Sequence, residues 1–269
     1  MFVFFCLEKG NVMETVYQHF RPSERAFIDT ATGWVTSAEN QYSPYLTPFI
    51  DPRQAYILKT LVAQTPDFLL EEAEWAKQHE RRRYLIRPDY YEVSEADFEL
   101  SLLSIRYPSK FSTLTHPHIL GALMNVGMKR EVFGDILNVD QAWQIVVEKE
   151  VANYVILNLT KIGAINVQLS EVESSEALSV PNDYEDRFVT VSSMRLDTVI
   201  AGVYNISRQK VKTMIESGLV KVNWQQVENA TFECSENDML SVRKHGRILI
   251  IDQVGKSKKD KLKLNVKVK

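Results

Sequence analysis

The stretch "SRQKVKTMIESGLVKVN", Ser207 to Asn223, decides how this chain is read. Ser207 is a good N-cap, and Val211, Met214 and Ile215 fall on one helical face. Gly218 stops the helix, and "LVKVN" continues as a short strand with a turn beginning near Asn223. The charge at the helix start has the wrong sign. A helix N-terminus carries partial positive charge and favours acidic residues in its first turn. Here Arg208 follows the cap at once, with Lys210 and Lys212 close behind. Each exposed cation there costs about a few tenths of a kcal/mol. The penalty reverses where a phosphate docks on the helix-start N–H groups and an arginine clamps it as a bidentate fork. Taken alone, a plain solvated basic face explains the helix equally well.

The flanking sequence tips that balance. "SSMRLDTVIAGVYN" reads as a preceding helix, capped by Ser192 or Ser193, with Leu196, Val199, Ile200 and Val203 as its apolar stripe. "NDMLSVRKHGRILIIDQV" gives a turn at Asn237-Asp238 and a closing β pair. Two short helices on a small sheet make one unit, 191–254. Arg195, Lys221, Arg243, Lys244 and Arg247 all sit at element starts or in turns of that unit. The whole chain has a net charge of −3, but from Ser192 onward 15 Lys and Arg stand against 8 Asp and Glu. An asymmetry of this size points the C-terminal third at something anionic.

Upstream, the 269 residues are enough for two or three domains, with ordinary globular composition. Residues 13–80 read as mostly helical. "DPRQAYILKTLVAQ" has Asp51 as N-cap and Pro52 at the first helical position. Residues 81–175 read as mixed α/β. From "DFELSLLSIRYP" onward the order is β-α-β-β-α-β, the ferredoxin-like arrangement that RNA-recognition sheets share with many unrelated proteins. The α+β expectation is therefore an N-terminal helical region, a ferredoxin-like (RRM-like) middle and the basic unit. Residues 176–190 read as an acidic linker, and 255–269, with seven Lys and one Asp, as a mobile electrostatic tail. The opening "MFVFFCLEKG" is apolar but lacks a basic n-region and is too short to span a membrane. A weak signal peptide and an upstream start are both open; the second is preferred, with Met13 as the start and 1–12 as a non-native or disordered extension. Cys6 and Cys234 form no disulfide framework or zinc spacing, which fits a reducing cytoplasm.

The segment "MRLDTVIAGVYNISRQKVKTMIESGLVKVN…NDMLSVRKHGRI" resembles the S4 RNA-binding domain. The shared pattern is R-L-D, S-R at the second helix start, G-x-V-x-V-N and D-x-[IL]-x-V-R. Trp224 stands where glycine usually follows the Asn, and Lys244 where glycine often follows the Arg. The resemblance implies RNA contacts at Arg195, Ser207, Arg208, Gln209, Lys210, Lys212, Thr213, Lys221, Asn223, Arg243 and Lys244. Further runs, "YQHFRPSERAFID", "LTPFIDPRQAYIL", "ERRRYLIRPDYY" and above all "LTHPHILGALMNVGMKREVFGDI", resemble the bacterial YlmH family over almost the whole chain. That resemblance implies a protein encoded near cell-division genes. It also implies a part in ribosome-associated quality control, binding the obstructed large subunit with its peptidyl-tRNA and supporting C-terminal tailing of the stalled chain.

Catalysis has weak support. R-L-D also occurs in pseudouridine synthases, where the Asp is the nucleophile, but there T-S-G-L comes next. Here "RLDTVIAGVYN" leads straight into the S-R helix, so Asp197 reads as a structural or helix-start acid. His116 and His118 have no third metal ligand nearby. No phosphate-binding Gly loop or nucleophile elbow is present, so no cofactor, metal or membrane partner is expected. "ERRR", Arg81 to Arg83, together with Lys129 and Arg130, is either a solvated edge or a second RNA contact. Two rival functions stay open: an RNA-modifying enzyme with its chemistry in the middle domain, and a division-linked protein-interaction module.

Overall fold

In this computed structural model the described residues are 17, 18, 20–180 and 184–269. The expectation for 1–12 lies outside them. The chain divides into two compact units, with the boundary between Val180 and Pro181.

In the first unit, a 3-10 turn at Pro22–Glu24 leads into α1 (Arg25–Gln41). A two-residue strand β1 (Tyr45–Leu46) comes next, then α2 (Pro52–Val62). The expected Asp51 cap is present as a full box. Asp51 accepts from the Gln54 N–H at 2.9 Å, and the Gln54 side chain accepts from the Asp51 N–H at 3.0 Å. The N-terminal region is less helical than expected. β2 (Phe68–Glu72) and β3 (Tyr84–Pro88) pair antiparallel, and β1 pairs the other edge of β3. Ile28, Ala31 and Val35 of α1 and Ile57, Leu58 and Leu61 of α2 bury against Tyr84 and Ile86 of that sheet. β3 thus belongs to this layer rather than to the middle domain, whose lower boundary of 81 falls too early.

The middle has the expected ferredoxin-like order. It runs β4 (Leu100–Arg106), α3 (His116–Asn125), β5 (Phe133–Val139), β6 (Ala142–Glu148), α4 (Lys149–Asn158) and β9 (Gln168–Val172). A small hairpin of β7 (Lys161–Ile162) and β8 (Ile165–Asn166) precedes β9. The sheet is antiparallel in the order β5-β6-β4-β9. α4 ends at Asn158, and Gly163 is the left-handed corner of the β7–β8 hairpin at φ 59°. Ile119, Leu123, Ala152 and Val155 of the helices pack on Leu103, Ile105, Ile145 and Val147.

The opposite face of this sheet is the one on which RNA-recognition sheets stack bases. Here it is closed. Leu102, Leu137 and Val146 bury against Phe49, and Trp75, Ala177, Leu178 and Val180 pack on the same cluster. Gln144 fastens that cover: its amide donates to the Glu176 carbonyl at 2.9 Å and accepts from the Leu178 N–H at 2.8 Å. Residues 176–180, expected as linker, are therefore part of the first unit.

Of the expected linker, residues 185–190 lie in a strand of the second unit, and of the expected tail, 255–256 and Leu262–Val268 are strand, joined by a turn at 257–261. The elements of the second unit are β10 (Glu185–Val191), α5 (Leu196–Tyr204), α6 (Arg208–Glu216), β11 (Val220–Val222), β12 (Gln225–Gln226), β13 (Met239–Val242), β14 (Gly246–Lys256) and β15 (Leu262–Val268). The sheet order is β10-β15-β14-β13-β11-β12. β15 lies between β10 and β14 and pairs with both. It does so because "LKLNVKV" alternates. Leu264, Val266 and Val268 are buried in the core with α5 and α6, while Lys263, Asn265 and Lys267 take the opposite face.

A candidate nucleic-acid interface at the α5–α6 corner

The start of α5 departs from the expected Ser cap. Arg195 is the cap residue, and the first helical N–H groups donate to a neighbouring loop: Leu196 to the Phe232 carbonyl at 2.8 Å and Asp197 to the Ala230 carbonyl at 3.2 Å. A phosphate cannot dock on amides already used in this way. Asn205, left-handed at φ 53°, closes the helix, and Ser207 opens α6 by accepting from the Lys210 N–H at 3.3 Å.

The carboxylate of Asp197 organises this corner. The residue is 4% exposed. Arg195 donates to it twice, through Nε at 3.1 Å and Nη2 at 2.9 Å. Arg208 reaches back from the first turn of α6 and donates through Nη2 at 2.8 Å. The Thr198 hydroxyl adds a fourth bond at 3.1 Å. Burial works to raise the Asp197 carboxyl, but the hydrogen bonds from Arg195, Arg208 and Thr198 overturn that and hold it at about 2. The wrong-sign helix start is thereby explained: Arg208 is compensated by a buried anion on the preceding helix. The same geometry holds two half-exposed guanidiniums side by side, aimed from one carboxylate. Asp197 is committed to that role, with both oxygens occupied, and is no free nucleophile.

The other expected contacts fall into two groups. Gln209, Lys210, Lys212 and Thr213 are exposed on α6, next to Arg208. Lys212 pairs with Glu216 at 3.7 Å, and the Thr213 hydroxyl bonds its own helix at the Gln209 carbonyl. Lys221 is exposed on β11 between buried Val220 and Val222, so it faces away from the helix pair. Arg243 and Lys244 are exposed in the β13–β14 turn. Lys244 sits at φ 68°, and Asn223-Trp224 at φ 47° and 65°. Both positions that lack the usual glycine therefore keep the left-handed backbone glycine would supply. Asn223 is a bracket rather than a surface group. Its amide donates to buried Asp238 at 2.8 Å and accepts from the Met239 N–H at 2.9 Å.

In the second candidate contact the arginines bond inside the first unit. Arg81 donates to the Phe49 carbonyl at 2.7 Å, and its N–H and that of Glu80 donate to Asp135. Arg82 pairs with Glu72 at 2.6 Å. Arg83 is buried; it donates to the Thr47 carbonyl at 2.8 Å and the Glu99 carbonyl at 3.2 Å, and lies 3.7 Å from Glu148. Arg130 turns to the Phe133 and Gly134 carbonyls, and burial lowers it to about 10. Of this group Lys129 alone is exposed. Arg83→Met is expected to cost about 3 kcal/mol of stability by orphaning those carbonyls and Glu148, and to leave RNA affinity unchanged. Urea unfolding beside an RNA titration checks it; weakened RNA binding with full stability would restore the surface reading.

The family described as "Putative RNA-binding domain in YlmH" matches residues 94–176, and the S4 domain matches 194–240. A curated relative, "Ribosome-associated protein quality control protein P2" of Bacillus subtilis (strain 168), is 43% identical over 250 residues, spanning 93% of this chain and 96% of the relative. The chain belongs to the YlmH family. A solved structure titled "Cell division protein ylmH from Streptococcus pneumoniae" is 38% identical with TM-score 0.53, covering 61% of this chain and 99% of that one. The S4 match begins beside Arg195 and includes the whole α5–α6 corner. Among the described residues no cluster of three or more His, Cys, Asp or Glu could hold a metal ion, and no helix is long and apolar enough to cross a membrane.

Proposed function

We propose that this protein is a non-catalytic cytoplasmic factor that binds structured ribosomal or transfer RNA on the large ribosomal subunit. In that position it supports C-terminal tailing of stalled nascent chains. The observation that carries the reading is the pair of guanidiniums, Arg195 and Arg208, held half-exposed by one buried carboxylate at the start of an exposed basic helix. Arginines fixed in this way meet successive phosphates of a folded backbone without first losing side-chain freedom. Lys210, Lys212, Arg243 and Lys244 add attraction that is sequence-independent and salt-sensitive. The quality-control assignment rests on the printed name of the Bacillus subtilis relative and its near full-length match.

Sedimentation through sucrose gradients tests this. The wild-type protein should travel with free large subunits at low salt and leave them at high salt, and Arg208→Ala should stay behind at both. A protein that remains at the top of every gradient removes the ribosome from the proposal and puts a protein partner, such as one in division, ahead of it. A modification missing from the RNA of a deletion strain would overturn the non-catalytic part.

A further inference from the structure

The six-stranded sheet of the second unit has one face under α5 and α6 and a second, outward face. On β15 the outward residues are Lys263, Asn265 and Lys267. The antiparallel register sets Thr190, Phe188 and Asp186 of the edge strand β10 directly opposite them. Phe188 is 75% exposed. It faces Asn265 and has Lys263 and Lys267 as its diagonal neighbours, within reach of long side chains. Just before β10, the ring of Tyr184 lies 5.9 Å from the Lys269 ammonium. The outward face of the β10–β15 pair therefore interleaves two aromatic rings with three lysines and one carboxylate, Asp186, opposite Lys267.

An exposed phenyl ring on an edge strand is a liability that needs a reason, because such strands invite unwanted pairing. Rings alternating with ammonium groups have the chemistry that receives unpaired nucleotides. Bases stack on the rings whatever their identity, and the intervening phosphates lie on the cations. A protein partner fits less well, since interface centres are apolar and the only other large hydrophobic exposed in this unit, among the described residues, is Val254.

We propose that the outward face of β10 and β15 is a second RNA site that takes an unpaired segment, with Phe188 as the stacking platform and Lys263 and Lys267 on the flanking phosphates. It lies on the opposite side of the sheet from the α5–α6 corner, and rests on the RNA-binding reading only in requiring that the ligand be RNA.

The test uses the full chain with two probes: a blunt RNA hairpin, and the same hairpin carrying an unpaired oligouridine overhang. The overhang should tighten wild-type binding at least about fivefold, the low end of what one stacked base contributes. Phe188→Ala should abolish that gain and leave the blunt-hairpin affinity unchanged; Phe188→Trp should retain it. Arg208→Ala should weaken both probes and keep the ratio between them. If the wild type ignores the blunt hairpin but binds the overhang through Phe188, the corner reading fails and this one stands. An overhang that adds nothing overturns the proposal, as does a gain that survives Phe188→Ala. A sedimentation shift on Phe188→Ala with both RNA affinities intact also overturns it, and makes the face a contact between copies.

Discussion

A chain cut after Lys261 is expected to lose the fold of its entire second unit. The deleted residues have the composition of a charged tail, yet they form β15, paired on one side to all of β10 and on the other to β14. Leu264 and Val266 are fully buried and Val268 nearly so. At about 1.5–3 kcal/mol for each such side chain, their removal forfeits about 5–9 kcal/mol, comparable to the whole stability of an ordinary domain. Among the described strands, β10 loses its only partner as well. Limited proteolysis should then leave a fragment ending near Val180, while the first unit stays resistant. Val266→Asp should do nearly the same damage without shortening the chain, because it buries an unpaired carboxylate. Lys267→Ala, on the outward face, should leave the unfolding midpoint unchanged. A mobile tail predicts no change for any of the three.

That prediction also shows where the sequence is opaque. Helices and the ferredoxin-like strands were legible because apolar residues repeat at a fixed period and Gly218 marks a corner, whereas Gly163 reads as a helix stop and is a hairpin corner. In β15 the same alternation is present, but lysines fill the outward positions, and composition hid the pattern. A strand needs only one apolar face, so a segment rich in charge can still be central to a sheet. The "ERRR" run was opaque for a different reason. Whether an arginine meets water or a carbonyl depends on partners far away in sequence, and those of Arg81 and Arg83 come from Thr47, Phe49, Asp135 and Glu148. The corner itself was half legible. Asp197 was recognisable as structural from the residues after it, but its bond to Arg208, eleven residues on, required the turn at Asn205. The capping of α5 by remote carbonyls left no local trace.

Asp197→Asn is expected to weaken RNA binding about threefold although it makes the corner more positive. Two effects oppose each other. Removing a negative charge near the phosphates strengthens attraction: at about 6 Å and the effective dielectric of a protein surface this is about 2.8 kcal/mol, which physiological salt screens to about 1.3 kcal/mol. Releasing Arg195 and Arg208 returns two long side chains to free rotation, and re-ordering them costs about 0.5–1.5 kcal/mol each. At the middle of that range the two side chains cost about 2 kcal/mol, so orientation outweighs the screened charge by about 0.7 kcal/mol, a factor of about three. The salt dependence separates this variant from Arg208→Ala. Asp197→Asn keeps every cation and should keep the slope of log affinity against log salt, whereas Arg208→Ala should lower it by about one. Tighter binding by Asp197→Asn would mean that the carboxylate restrains the site rather than preparing it. Stability gives an independent check. The lost charge-assisted bonds cost about 2 kcal/mol, discounted because both guanidiniums are half-exposed and regain water. The folded Asp197 carboxyl titrates at about 2 and an unfolded one near ~4. Because the folded value is the lower, this contribution is complete above the unfolded value and is lost as pH falls from about 4 towards 2. The deficit of Asp197→Asn should therefore be full at neutral pH and shrink across that acid window, a dependence that simple cavity or packing damage at the helix start would not produce.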